Sequence, residues 1–301
     1  VGERPVTGRK DTIEQAYMKK PLLHVEHLEI SRTGTGASGS GSNPLLRDVN
    51  FSVYPGEIVA LTGPSGCGKS LTAQAIAGML DPGVVVTQGC IYYNGEDIIP
   101  FHEQRWQRLR REDIALLIQQ SLSGLNPIRT VRAQLTDTLR LNGGRLMHAQ
   151  KELGQADAAP SHTASQPQGV LSRMRQMLNR VTELAGGRTI PGQEAYLCSL
   201  LRKVGFADPE HILSSYPFEL SGGMCQRVLL AAMLSSGPRL FIADEPTTAL
   251  DVINRDKVLA LLLQLREVFD LTILLISHDR QGISRIADRV LEMSPEGRMH
   301  E

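Results

Sequence analysis

Apolar residues along this chain come in short runs whose spacing changes character twice. Residues 22–30 and 49–53 have the β-branched, partly alternating composition of strands. Between them residues 33–43 are rich in Gly, Ser and Thr and offer no side chain that packs, which predicts a flexible hairpin loop. Residues 57–62 form a third strand that runs straight into a glycine-rich turn. The following segment, 70–80, has helical composition and a stop at Asp81-Pro82-Gly83. Further strands are expected at 91–93, closed by the Asn94-Gly95 turn, and at 114–118. From about 130 to 216 the pattern is helical, broken by residues 154–169, an Ala, Ser, Gln and Pro stretch without large apolar residues that reads as a disordered insertion. Strand runs then return at 239–243, 272–277 and Arg289–Met293, with an amphipathic helix over Val252–Phe269 between the first two. Strands that alternate with helices imply a mostly parallel sheet covered on both faces. A helical subdomain interrupts it, and the sequence contains no internal repeat.

Composition narrows the functional classes. The 301 residues are 41% hydrophobic, enough for a substantial core. With 32 basic and 32 acidic residues the chain has no bulk field toward nucleic acid or anionic lipid. Apolar runs such as 228–234 and 258–263 fall well short of the ~18 residues that span a bilayer. Cys67, Cys90, Cys198 and Cys225 form no CxxC pair and read as free thiols in a reducing cytoplasm. Residues 1–20 are polar, without the apolar stretch of a secretory signal, and are expected to be a disordered extension in which Met18 is a candidate start.

Two constellations carry chemistry. Gly63-Pro64-Ser65-Gly66-Cys67-Gly68-Lys69-Ser70 fits the P-loop pattern GxxxxGK[ST] between a predicted strand and a predicted helix. Its glycines let successive backbone N–H groups curl round phosphates at a helix N-terminus. Lys69 brings a cation to the β- and γ-phosphates, and the Ser70 hydroxyl suits a Mg²⁺ shell. Leu71 completes the expected nucleotide-binding stretch. The second constellation is the apolar strand 239–243 followed by Asp244 and Glu245, with Asp244 placed to hold Mg²⁺ through water and Glu245 to polarise an attacking water. A helix-capping role for such acids is the plain alternative.

Leu220-Ser221-Gly222-Gly223-Met224-Cys225-Gln226-Arg227 resembles the signature LSGGQ-QR of ABC-type ATPases, and from residue 22 to the end the chain is similar to ATP-binding subunits of ABC transporters. The resemblance implies an α/β fold of the P-loop NTPase (RecA-like) type: a mixed, mostly parallel sheet, an inserted helical subdomain and an N-terminal antiparallel β subdomain. It assigns residues 21–301 to the ATPase domain. The core is 21–120 with 228–301, and the helical subdomain is 121–227 with a flexible insertion at about 143–192. It implies that Gln119 is the Q-loop glutamine that senses Mg²⁺ and nucleotide, that Thr248-Ala249-Leu250-Asp251 is the D-loop, and that His278 is the switch histidine beside the general base Glu245. Lys69 joins the catalytic set. Ser70, Gln119 and Asp244 are the implied metal residues, with ATP and Mg²⁺ as cofactors. It also implies a head-to-tail dimer with an identical or paralogous second subunit, in which Ser221, Gly222, Gly223 and Met224 of one copy grip ATP on the P-loop of the other. The further partners implied are two transmembrane permeases and, indirectly, an extracytoplasmic solute-binding protein, and no nucleic acid. The location is peripheral, on the cytoplasmic face of the inner membrane.

Tyr216-Pro217-Phe218-Glu219 ahead of the signature, Met224 closing it, and Gly124-Leu125-Asn126-Pro127 soon after Gln119 look like the dipeptide, oligopeptide and nickel importers. Three positions depart from that pattern. Arg32 stands where the family stacks adenine on an aromatic ring, although a guanidinium also stacks on a base. Gln120-Ser121 replaces the usual acid and proline after Gln119, and the chain ends at Glu301 where the group carries an extension. The competing readings are a soluble ABC ATPase outside transport, a nucleotide-binding regulatory subunit with weak hydrolysis, and an exporter motor. The single P-loop, the pair Glu245 and His278, and the importer-like motifs weigh against them in turn.

Overall fold

The structure, a computed structural model, describes residues 20–33, 43–118, 124–141, 192–247 and 252–300. It divides into two compact units, Val1–Gln119 with Pro238–Glu301, and Gln120–Gly237. Residue 227, where the family resemblance ends the helical subdomain, lies inside the helix Gly222–Leu234.

The first unit holds two sheets. β1 (Leu23–Arg32), β2 (Asn43–Val53), β4 (Val84–Tyr93) and β5 (Glu96–Asp97) form an antiparallel sheet in the order β2-β1-β4-β5. β3 (Ile58–Thr62), β6 (Ile114–Leu117), β7 (Leu240–Asp244), β8 (Thr272–Ile276), β9 (Arg289–Met293) and β10 (Met299–His300) form the other, in the order β10-β9-β3-β8-β7-β6. All its pairings are parallel except β9 with β10. Every residue of β3, β7 and β8 is buried, which is why these strands read as continuous apolar runs rather than alternating ones. One apolar cluster joins the two sheets, with Val25, Leu28 and Leu46 from the antiparallel sheet and Leu61, Ile242, Leu274 and Ile276 from the parallel one.

Several elements differ from the sequence expectation. β2 starts at Asn43, not at 49, and β4 at Val84, not at 91, because both pair along the length of β1. The helix expected over 70–80 is α1 (Lys69–Ile76), and Gly78 rather than Asp81-Pro82-Gly83 ends it. At φ 62° Gly78 lets its own N–H reach Ala75 O and the Met79 N–H reach Gln74 O, the paired bonds of a Schellman stop. A Cβ there would stand 2.4 Å from the ring of Trp106, which belongs to a helix absent from the sequence reading, α2 (Glu103–Glu112). Among its ten residues only Trp106 and Leu109 are apolar, too few to set a readable period.

The second unit is helical among its described residues: α3 (Val131–Leu141), α4 (Gln193–Lys203), α5 (Pro209–Ser214) and α6 (Gly222–Leu234), with a 3₁₀ turn at Pro217–Glu219. Val131, Leu135 and Leu139 line the buried face of α3, and Leu197, Leu200 and Leu201 that of α4. The Asp208 carboxylate accepts the His211 N–H at 3.0 Å and Pro209 opens α5. Within the first unit α7 (Val252–Phe269) precedes β8 and α8 (Arg280–Ile283) precedes β9. Among the described residues no helix is long and apolar enough to cross a membrane. The extension 1–20 apart from Lys20, the loop 34–42, Gln119, most of the insertion expected at about 143–192, and the D-loop 248–251 lie outside the described residues.

A bulge shapes the antiparallel sheet. Register breaks on both sides of β1 around His27, between Val25 and Leu28 against β2 and between Glu26 and Glu29 against β4, with His27 at φ 48° and Gly89 opposite it at φ 85°. Asn50 Oδ1 accepts the His27 N–H at 2.7 Å, and the His27 ring meets Asp48 at 2.7 Å. A Cβ on Gly89 would lie 2.3 Å from His27 O. Gly89→Ala is therefore expected to destabilise the protein by about 2 kcal/mol. Urea unfolding midpoints check this, and an unchanged midpoint would contradict it.

Candidate active site

The loop after β3 is shaped by glycines that no other residue replaces. A Cβ on Gly63 (φ 149°) would stand 2.4 Å from Met293 O, and one on Gly68 (φ 107°) 2.4 Å from Leu46 Cδ1. The turn thus closes between the end of β9 and a buried leucine of β2, and leaves Pro64, Ser65 and Gly66 exposed on its rim. Gly68 caps α1, whose first residue is Lys69. Lys69 is only 6% exposed. Its ammonium donates to Gly63 O at 2.9 Å and Pro64 O at 2.8 Å and lies 3.7 Å from Cys67 Sγ. Ser70 is exposed beside it, Thr72 Oγ1 donates to Gly68 O at 3.0 Å, and Leu71 packs against the core. The unpaired N-terminal amides of α1 and the buried ammonium make this turn an anion site.

The two acids emerge from β7 alongside it. Asp244 is 6% exposed, and its Oδ1 is buried without a hydrogen-bond partner. Burial pushes its carboxyl above the usual carboxylate range, and the charge of Glu245 adds to this. A hydrogen bond with Ser70 and the charge of Lys69 pull the other way. Glu245 follows at φ 53°, a left-handed conformation rare outside glycine, and its N–H donates to Ile276 O at 2.9 Å. The Glu245 carboxylate meets His278 Nδ1 at 2.7 Å. A carboxylate only accepts, so the imidazole donates from Nδ1. The Ser277 N–H donates to Leu61 O at 3.2 Å, which sets the His278 turn beside the end of β3.

Three strand ends thus bring Gly63 to Ser70, Asp244, Glu245 and His278 together. Arg32 is exposed at the end of β1, opposite Asn43 and Val84. Gln119 and Asp251 fall outside the described residues.

In the second unit Ser221 caps α6, its hydroxyl accepting the Met224 N–H at 3.3 Å. Gly222 and Gly223 are exposed in the first turn, with nothing within 4 Å of where a Cβ would sit, and as the first two residues of α6 their amides have no intrahelical acceptor. The Glu219 carboxylate accepts the Tyr216 N–H at 2.8 Å, and Cys225 Sγ meets Pro217 O at 3.4 Å, fixing the chain as it enters α6. Further along this unit the Gln134 side chain accepts the Asn126 N–H at 2.7 Å and donates to Asn126 O and Arg129 O at 3.0 Å, which fixes the turn containing Asn126 and Pro127.

The sequence reading gave no part to Leu46 or Met293, which define the back of the loop and are separated from it in the chain. It also passed over Asp279 as the cap of α8, whose carboxylate accepts the Gly282 N–H at 3.2 Å. An Asp three residues before the amide it caps was the available signal.

Residues 46–248 match the family described as ABC transporter. The chain belongs to the ABC transporter family. It is an ABC-type ATPase. The Metal-staphylopine import system ATP-binding protein CntD of Staphylococcus aureus is 34% identical over 272 residues, 90% of this chain and 82% of that protein. The Dipeptide transport ATP-binding protein DppD of Bacillus subtilis is 32% identical over 273 residues, 90% of this chain and 68% of that protein. Among solved structures, the dimeric ABC transporter cassette MJ0796 superposes with a TM-score of 0.60 at 22% identity, over 93% of this chain and 97% of the other. cbiO1 from Clostridium perfringens gives 0.64 at 21% identity, over 94% and 88%. These superpositions establish the P-loop ATPase fold.

The burial of Asp244 has a measurable sign. A carboxyl whose native pKa is raised favours the folded state when protonated, and that contribution is lost as pH climbs through the native value. Asp244→Asn is therefore expected to raise the unfolding midpoint in EDTA by about 2 °C or more near neutral pH. The gain should vanish as pH falls below the ordinary aspartate value of about 3.9. A scan of midpoint against pH for both proteins reads this, and a gain independent of pH would contradict it.

Proposed function

We propose that this ABC ATPase is the motor subunit of an importer, and that Mg²⁺-dependent ATP hydrolysis at the Gly63–Ser70 loop powers uptake of a peptide, nickel or a similar small solute. The observation that carries the reading is the buried, unpartnered Oδ1 of Asp244 beside Ser70, next to the Glu245 and His278 hydrogen bond.

The donor set fits a hard divalent cation. An acid buried at a cost, with one oxygen unpaired and the Ser70 hydroxyl close to the carboxyl, is what a Mg²⁺ site bound partly through water requires. Ser70 and Asp244 would hold the ion, with Gln119 as the further proposed contact. When bound, Mg²⁺ supplies charge neutralisation on the β- and γ-phosphates. The amides of Gly66, Gly68 and the first turn of α1 cradle the phosphates, and the Lys69 ammonium exchanges the Gly63 and Pro64 carbonyls for phosphate oxygens. Glu245 orients the attacking water and takes its proton. His278 holds the Glu245 carboxylate through Nδ1 and leaves its exposed edge to brace the γ-phosphate. Arg32 lies against the base.

The exposed amides of Gly222 and Gly223 and the Ser221 cap provide a second phosphate grip. In this reading they serve the P-loop of a second subunit, identical or paralogous, in a head-to-tail dimer closed by ATP, with Met224 and Asp251 at the seam. Two permease subunits receive the stroke through Gln119 on the cytoplasmic face of the membrane, and a solute-binding protein delivers cargo from the other side. The relatives named for dipeptide, oligopeptide and metal-staphylopine import support that cargo class.

Steady-state hydrolysis by the wild type is expected to rise more than linearly with protein concentration. Glu245→Gln should lose activity by about 10²-fold or more and elute as an ATP-dependent dimer in size exclusion. Equal turnover by wild type and Glu245→Gln would overturn the assignment of Glu245. Turnover strictly linear in concentration, without a trapped dimer, would overturn self-pairing.

A further inference from the structure

The Glu245 and His278 hydrogen bond joins an imidazole that is 57% exposed to a carboxylate that is 15% exposed. Packing therefore does not hold the ring on its partner, and the backbone around it must. The Ser277 side chain accepts the Asp279 N–H at 3.0 Å, and the Arg280 N–H reaches His278 O at 3.2 Å. The Asp279 carboxylate is engaged at both oxygens, with Oδ1 accepting the Gly282 N–H at 3.2 Å and Oδ2 accepting from Arg255 at 2.6 Å. Arg255 comes from the first turns of α7, so this single ion pair ties the residue after His278 to a different helix.

Three observations separate the pair from an ordinary surface contact. Its side chains are only 33% and 21% exposed, so solvent screens it less than an open pair. A Cβ on Gly282 would stand 2.6 Å from Asp279 Oδ2 and 3.2 Å from Cγ, so a glycine leaves the room in which the carboxylate sits. Arg255 also buries its Nε without a hydrogen bond, a cost that an apolar residue at this position would avoid. The pair fixes geometry, and the unpaired Nε is the local cost of doing so. Burial pushes the Asp279 carboxyl up, but the Gly282 and Arg255 bonds and the Arg255 charge outweigh it and hold the group below the usual carboxylate value, in keeping with a charged, committed partner.

We propose that Arg255 and Asp279 are positioning residues for hydrolysis: their ion pair clamps the turn that carries His278 against α7 and so fixes the direction from which the imidazole donates to Glu245. They act through His278, and the inference rests on the ATPase reading above. Asp279→Asn keeps an oxygen for the Gly282 N–H while removing the charge, so it separates the clamp from the helix cap.

The test measures kcat and KM for ATP, and the unfolding midpoint, of the full chain with Arg255→Ala, Arg255→Lys and Asp279→Asn. Arg255→Ala is also measured on a His278→Ala background by single-turnover hydrolysis. Arg255→Ala and Asp279→Asn are expected to lower kcat about tenfold, about 1.4 kcal/mol in the barrier. KM should stay within about twofold and Arg255→Lys should recover most of the loss. On the His278→Ala background Arg255→Ala should cost less than about twofold more. A wild-type kcat in Arg255→Ala and Asp279→Asn would overturn the proposal, as would an equal loss with and without His278, or a loss that follows KM. If instead wild type and Glu245→Gln turn over alike, the ATPase assignment itself has failed, and the clamp has no reaction to serve.

Discussion

The parallel pairing of β8 with β3 on one side and β7 on the other is the constraint on which this molecule depends. Ile276 lies in register with both Leu61 and Asp244, so three strands end at one level. From that level the chain turns three ways: into the Gly63–Ser70 loop, into Asp244 and Glu245, and into Ser277 and His278. The bonds from Glu245 N–H to Ile276 O and from Ser277 N–H to Leu61 O continue the ladder past the strand ends, so the residues proposed to react are extensions of the sheet. A slip of one residue in either pairing would turn Asp244 from the loop and send its strand's side chains to the opposite face.

That precision has local costs. Asp244 is buried with an oxygen unpaired, Glu245 adopts a left-handed backbone, Arg255 buries an unpaired donor, and Gly63 and Gly68 sit where a Cβ would collide. None of these stabilises the fold. The wholly buried β3, β7 and β8 and the apolar cluster behind them supply the compensating free energy, and the costs concentrate where phosphate chemistry is proposed. The second unit repeats the logic more cheaply, since Ser221 caps α6 and the exposed Gly222 and Gly223 leave amides open without strain.

What the sequence disclosed follows from how local each feature is. The P-loop was legible because phosphate cradling demands glycines at fixed offsets from Lys69, and Asp244 and Glu245 were legible because they end an apolar run. The parallel sheet and the helix Val252–Phe269 followed from period alone. The full extent of β2 and β4 was not legible, because their first halves owe their strand state to pairing with β1 rather than to their own composition. α2 went unseen because only Trp106 and Leu109 of its ten residues are apolar. The clamp could not be read at all, since Arg255 and Asp279 are 24 residues apart and meet only when α7 packs beside the His278 turn.

A crystal structure of the Glu245→Gln protein with ATP and Mg²⁺ tests the central claim most directly. The account predicts the triphosphate inside the Gly63–Ser70 loop, the Lys69 ammonium moved from the Gly63 and Pro64 carbonyls onto phosphate oxygens, and the metal on Ser70 with Asp244 Oδ1 joined to it through water. Nucleotide bound elsewhere, or a metal that leaves Asp244 Oδ1 without a partner, would contradict it.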